Sequence, residues 1–207
     1  IFRKFFYNYK SNRKLHVFKK INLNKNSKFL DIGGNFGLVS QYIYDKFKCN
    51  IFIYEPHPGC VIELKTLFKN NKKVKIYNKA VSNKTGVSKL YLHKDSKSFF
   101  DLAFSQSTSL EKRKNLNKNK FRIIKIVTLK EIIKKLKYID LLKIDIEGHE
   151  YKLLPFIFKN LDKFGKIYCE LHGKGKLKHI YSQKNYNYWV KKIKKNPNYN
   201  KKFFIWY

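Results

Sequence analysis

The sequence predicts an α/β domain whose sheet is mostly parallel and doubly wound. Three stretches carry that expectation. Residues 28–32 form an apolar strand that breaks at Gly33-Gly34-Asn35-Phe36-Gly37 and restarts as a helix, with Leu38, Val39, Tyr42, Ile43 and Phe47 on one apolar face. Ile51-Phe52-Ile53-Tyr54 is a second strand, ending at Glu55. Pro58 then suits the first turn of a helix, where its missing N–H costs nothing, and Val61, Leu64, Leu67 and Phe68 supply the buried face. Ile139–Ile144 is apolar apart from Asp140 and Lys143, as a strand buried on both faces should be. Strands alternating with helices build parallel βαβ units. A chain of 207 residues suffices for one well-buried core, so residues 1–207 read as a single domain.

The other elements follow in order. Residues 1–27 are basic and aromatic, with Phe2, Phe5, Phe6 and Tyr9 near helical spacing, and predict a lead-in helix over one sheet edge. Val74–Val81 reads as the third strand, closed by a turn at Ser82–Gly86, and Val87–Leu92 as a short strand. Residues 93–120 are polar and rich in Lys and Asn; a loop of that length in a compact domain is expected to be disordered or a lid. Thr128-x-x-Glu131 is a capping box opening a helix with Leu129, Ile132, Ile133 and Leu136 on its buried face. A fifth strand is predicted over Lys166–His172. An amphipathic segment with Ile180, Tyr181, Trp189, Val190 and Ile193 follows, and then a terminal strand over Lys202–Tyr207.

Composition narrows the function classes. There are 47 basic and 14 acidic residues, a net charge of +33, which would ordinarily point at nucleic acid or an anionic surface. The lysines are scattered through every segment, however, and Lys, Asn, Ile, Tyr and Phe are over-used together, as AT-rich codons alone would produce. A functional polyanion site is therefore possible but not favoured. Cys49, Cys60 and Cys169 lack C-x-x-C spacing and fit neither a disulfide framework nor a zinc site, so a reducing, cytoplasmic setting is expected. No apolar run approaches the roughly 18 residues of a membrane span. The chain contains no Met, so residue 1 is not an initiator, and it stops within the strand-like Phe203–Tyr207; incompleteness at both ends is expected.

The glycine turn is built for a nucleotide cofactor: backbone must turn tightly there and approach a ligand without a Cβ in the way. An acid at the end of the second strand can accept both hydroxyls of a ribose, the role expected of Glu55. Counted from Gly33, the dinucleotide fingerprint needs small residues at 35 and 38, but Asn35 and Leu38 stand there, which disfavours NAD. Asp31, Gly33, Asn35 and Gly37 instead match acid-x-Gly-x-(small)-x-Gly, which resembles the first motif of the S-adenosylmethionine-dependent methyltransferases. Asn35 replaces the usual Gly there, and Asn tolerates positive φ better than most residues. Ala80 and Val81, ending the third strand, either line the adenine pocket or are plain core residues.

The second chemical cluster follows the fourth strand: Asp145-Ile146-Glu147-Gly148-His149-Glu150. Three carboxylates in six residues raise one another's pKa, a cost usually tolerated for function. Asp145 and Glu147 are read as functional, Glu150 as an acid favoured by a helix amino-terminus and His149 as a solvated helix residue. Together with Thr128-Leu129, the glycine turn, Tyr54-Glu55-Pro56 and Asn78-x-Ala80, this run resembles the FkbM family of methyltransferases over about residues 28–172. The resemblance implies a Rossmann-like class I methyltransferase fold, S-adenosylmethionine as donor, and hydroxyls of sugars or polyketide-type small molecules as acceptors.

Glu170 and His172 end the fifth strand at period 2, on one side of it. The family resemblance places them at the acceptor site. A His beside a Glu can act as general base toward a hydroxyl, could ligate a metal with Asp145, or could be a structural pair; spacing leaves all three open, and no metal is assigned. Asn196-Pro-Asn-Tyr199 superficially resembles the N-P-P-Y signature of amino-methylating enzymes, but that signature belongs after the fourth strand. The reading is thus an O-methyltransferase with Asp145, Glu147, Glu170 and His172 at the reacting groups. An RNA methyltransferase, or a basic nucleic-acid-binding protein on a Rossmann-like scaffold, stands as the alternative.

Overall fold

The computed structural model describes residues 13–174 and 181–206. Nine strands run in chain order as β1 (Lys28–Ile32), β2 (Asn50–Tyr54), β3 (Val74–Tyr77), β4 (Ala80–Ser82), β5 (Gly86–His93), β6 (Leu116–Thr128), β7 (Ile139–Ile144), β8 (Phe164–Glu170) and β9 (Phe203–Trp206). Six of them form one sheet in the order β3-β2-β1-β7-β8-β9, every neighbour parallel. The chain winds outward from β1 to β3, then returns to lay β7 against the other side of β1. That reversal is a topological switch point, where open α/β sheets hold their ligands. The fold is Rossmann-like, as the sequence predicts.

Helices cover both faces. Leu30, Ile32, Leu142 and Ile144 face α3 (Leu129–Leu136), α4 (Leu154–Lys159) and α5 (Gln183–Lys195), which bury Leu129, Ile132, Leu154, Ile157, Trp189 and Ile193. Phe29, Ile51, Ile53 and Leu141 face α1 (Leu38–Phe47) and α2 (Pro58–Leu67), with Val39, Ile43 and Leu64 buried between. The predicted signals at the helix ends are present: Thr128 and Glu131 form the capping box of α3, and Pro58 opens α2 behind the His57 cap. A last short helix, α6 (Pro197–Asn200), accounts for the Asn-Pro-Asn-Tyr motif. Asn196 caps it by accepting from the Asn198 amide.

Several boundaries differ from expectation. The third strand breaks in two because Asn78 turns its amide onto the carbonyls of Glu55 (3.1 Å) and Pro56 (3.0 Å), so Ala80–Ser82 leaves the main sheet. It joins β6 and β5 in a separate sheet, parallel to β6, while β5 and β6 pair antiparallel. Nor is 93–120 a structureless loop. It contains a 3-10 turn over Leu102–Ser107, bridges Tyr91 to Ser109, and enters β6 at Leu116. Phe99 and Leu110 pack on a small core of Ala80, Leu90, Ile124 and Ile126. The fifth strand spans Phe164–Glu170, leaving His172 two residues beyond it. Of the lead-in segment, Arg13–Phe18 forms a 3-10 turn that buries Leu15 and Phe18, and the predicted aromatics Phe2, Phe5, Phe6 and Tyr9 lie outside the described residues.

Candidate active site

The carboxyl ends of β1, β2, β7 and β8 open into a cavity of about 1130 Å³ counting its mouth, lined by the glycine turn, Glu55, Ala80, Val81, Asp145, Glu147 and Glu170. Gly33 (φ 81°) and Gly37 (φ 83°) hold the turn in left-handed backbone, and Asn35 (φ 47°) is accommodated there. Gly33 is also required sterically. A Cβ there would lie 1.9 Å from the Asp145 carbonyl, so the first and second motifs touch through backbone.

Glu55 closes the other side of the turn. Its carboxylate accepts the Asn35 amide at 2.8 Å and the His57 amide at 2.7 Å, which fixes the side chain in the cavity wall. Burial pushes the carboxyl up to about 7, against the pull of those two N–H groups. A carboxylate has about four acceptor positions, so both oxygens can take further donors. Ala80 and Val81 line the same wall from β4.

Asp31 is placed differently. It is fully buried under the turn and does not line the cavity; Ser40 donates to it at 2.7 Å, and Lys143 Nζ lies 3.2 Å away. Lys143 is its register partner on β7. The lysine also donates to the Gly33 carbonyl at 2.6 Å and stands 3.8 Å from Asp145. Burial works against its charge, but the carboxylates of Asp31 and Asp145 outweigh that and hold its pKa above the ordinary lysine value. From sequence alone Lys143 reads as an incidental charge in a buried strand. The signal available was its period-2 relation to Asp145.

The acid cluster occupies the opposite wall. Glu147 adopts φ 55°, a left-handed conformation that costs a non-glycine residue about 1–2 kcal/mol. Its Oε2 accepts from Arg113 at 3.2 Å and from the Tyr181 hydroxyl. Burial raises its pKa. His172 is buried behind the carboxylates and does not line the cavity. Its Nε2 lies 4.0 Å from Asp145 Oδ1, 3.8 Å from Glu147 Oε1 and 3.9 Å from Glu170 Oε1. Burial disfavours the imidazolium, but Glu150, Glu147 and Asp145 outweigh it and hold the ring up to about 9.

Glu150 does open a helical turn, the 3-10 segment Glu150–Lys152, but it is completely buried there, and its Oε1 accepts from the His172 amide at 2.8 Å and pairs with the ring Nδ1 at 3.1 Å. His149, by contrast, is not solvated. It is buried, with Nε2 2.9 Å from Ser82 Oγ and Nδ1 2.7 Å from Glu111 Oε1. Both partners come from segments distant in sequence, and no local pattern announces them. The same holds for Arg113 and Tyr181.

A sequence model of the methyltransferase FkbM domain matches residues 31–188, spanning the glycine turn, Glu55 and the whole acid cluster. The chain belongs to the FkbM methyltransferase family. Among solved structures, this FkbM-family chain is similar to a crystal structure of methyltransferase FkbM from Methylobacillus flagellatus KT, with 13% identity and a TM-score of 0.44. That likeness covers 68% of this chain, and the chain spans 31% of the other's length. No curated protein matches the chain. Among the described residues, no helix is long and apolar enough to cross a membrane.

Proposed function

We propose that this chain is an S-adenosylmethionine-dependent methyltransferase that O-methylates a hydroxyl of a sugar, glycan or related small molecule. The observation that carries the reading is a single cavity with Glu55 and the glycine turn on one wall and Asp145, Glu147 and Glu170 on the other. The donor fits the first wall. Glu55 is positioned for the two ribose hydroxyls, the turn around Gly33, Asn35 and Gly37 for the amino-acid end, and Ala80 and Val81 for the adenine. Asp31 contributes from beneath, through Lys143 and the Gly33 carbonyl. The bound donor supplies a methyl group already activated on a sulfonium, so the protein's task is to orient, exclude water and accept a proton.

That last task falls to the second wall. Asp145, Glu147 and Glu170 reach the cavity and can receive a hydroxyl proton, whereas His172 lies behind them and orients the carboxylates. A carboxylate of raised pKa, such as Glu147, is the better matched base near neutral pH. An acidic wall suits a neutral alcohol and repels phosphate. The net charge of +33 is the observation that favours RNA as a rival acceptor.

Transfer of labelled methyl groups to sugars, lipid-linked glycans and RNA tests the reading. Transfer to a hydroxylated small molecule or glycan, insensitive to moderate salt, is expected. Transfer to RNA alone, falling steeply between about 50 and 200 mM salt, would overturn it.

A further inference from the structure

We propose that Asp145, Glu147 and His172 form a binding site for a divalent transition-metal cation on the acidic wall of the cavity. One potential ligand atom from each lies within 4.8 Å of the others. The separations carry the argument. His172 Nε2 stands 4.0 Å from Asp145 Oδ1 and 3.8 Å from Glu147 Oε1, too far for hydrogen bonds, which span about 2.7–3.2 Å. Donor atoms around one ion, each at about 2.0–2.2 Å from it, lie roughly 3–4 Å apart. The gaps between these side chains therefore match ligands around an absent centre better than partners of one another.

The second observation is how the three groups are held. Glu147 and His172 each anchor one polar atom outward and leave the other facing the common centre, and Asp145 turns one oxygen toward Lys143 at 3.8 Å without a hydrogen bond. Glu147 Oε2 is held by Arg113 and the Tyr181 hydroxyl, leaving Oε1 inward. Asp145 Oδ2 faces Lys143, leaving Oδ1. His172, more than nine-tenths buried, is clamped at its amide and its Nδ1 by Glu150, and its Nε2 has no hydrogen-bond partner among the described residues. A carboxylate fixing the far nitrogen of an imidazole is the usual outer-shell device of metal-binding histidines. Charge agrees: among the described residues the carboxylates of Asp145, Glu147 and Glu150 are met by Arg113, by Lys143, which is shared with Asp31, and by the His172 ring, so a bound cation would take the place of the imidazolium proton that these acids now favour.

One imidazole with two carboxylates suits Mn²⁺, Fe²⁺ or Zn²⁺ better than the all-oxygen preference of Mg²⁺ or Ca²⁺. The role of the ion rests on the methyltransferase reading. With Glu147 taken up as a ligand, the part of base would pass to Glu170: an acceptor alcohol binding the cation through its oxygen would be acidified, its O–H bond would break with the proton passing to Glu170, and the oxygen would keep the electron pair. The existence of the site does not rest on that reading.

The test uses the chelator-treated, tag-free 207-residue chain and Mn²⁺ alone. Calorimetry should show one ion per chain, and pulsed electron paramagnetic resonance should show ¹⁴N modulation from a coordinated imidazole. Asp145→Asn and His172→Asn should each weaken binding at least tenfold, and Glu150→Gln about tenfold through loss of ring orientation. A wild-type spectrum identical to aqueous Mn²⁺, or affinity unchanged in folded Asp145→Asn and His172→Asn, would overturn the proposal, whatever the variants' stability. Binding of S-adenosylhomocysteine, measured separately, keeps the two readings apart: Mn²⁺ without nucleoside binding would sink the methyltransferase reading alone, and the reverse result the cation site alone.

Discussion

Lys143 Nζ stands 3.2 Å from Asp31 Oδ1 across two adjacent parallel strands and donates at 2.6 Å to the Gly33 carbonyl. One buried cation thereby ties the acid of the first motif to the turn that follows it and to Asp145 at the end of the second. Removing one partner of a buried pair strands the other's charge. Lys143→Met should therefore cost about 3–5 kcal/mol. Adding Asp31→Asn should recover part of that loss, because the orphaned charge disappears with it. Denaturant unfolding of both variants checks this; a loss under about 1 kcal/mol for Lys143→Met would mean the pair does not hold the motifs together.

The contact between Gly33 and Asp145 gives a second expectation. Gly33→Ala places a Cβ against the Asp145 carbonyl, at φ 81°, whereas Gly86→Ala, at φ 116°, meets nothing within 4 Å. Both carry backbone strain of about 1–2 kcal/mol, and only the first adds a collision with backbone. Thermal unfolding should show Gly33→Ala to be clearly the more destabilised. Equal losses would argue that the two motifs are not in rigid contact.

His57 should make the fold acid-sensitive. Its ring is buried, its Nδ1 accepts the Cys60 amide at 3.3 Å, and burial lowers its pKa from 6.5 to about 4. Below pH 6.5 the unfolded chain takes up a proton that the folded chain refuses until about pH 4, so stability falls as pH drops through that window. The loss attributable to this ring is at most about 3 kcal/mol. His57→Asn, which can still cap α2, should flatten the difference between pH 6.5 and 4, measured by urea unfolding. An unchanged profile would assign the acid sensitivity to other groups.

The segment over the cavity is expected to move. Ser105, Gln106 and Thr108 line the cavity from the 3-10 turn and its end, and Ser105 Oγ accepts from Asn35 at 3.3 Å. Amides of Leu102–Ser107 should exchange faster than those of β7 in the free protein and slow when donor and acceptor are both present. Equal protection of the two segments in the free protein would exclude a lid.

What was legible in the sequence follows from how local each signal is. β7, α3 and its capping box, and the glycine turn with Glu55 are set by neighbours within a few residues, and the structure places them as expected. β6 was hidden because residues 118–123 face solvent and only Leu116, Ile124 and Ile126 are buried, so the alternation that marks a strand is lost. The burial of Glu150 and of His149 is hidden for a different reason. Their environments are made by His172, Ser82 and Glu111, between 22 and 67 residues away, and composition near position 149 carries no trace of them. Lys143 lay between. Its place on a strand buried on both faces, two residues before Asp145, was readable as a buried charge needing a partner, but Asp31 emerges as that partner only once the β1–β7 register is fixed.

Calorimetric titration of S-adenosylhomocysteine into the wild-type chain and into Glu55→Ala tests the central claim most directly. The account predicts binding to the wild type, weakened by about 1.5–3 kcal/mol in Glu55→Ala through loss of charge-assisted hydrogen bonds to the ribose. Because burial raises the Glu55 carboxyl to about 7 and the hydroxyls favour its charged form, wild-type affinity should also climb from pH 6 to pH 8, with proton release near pH 7. No binding by the wild type, or equal affinity in a folded Glu55→Ala, would contradict it.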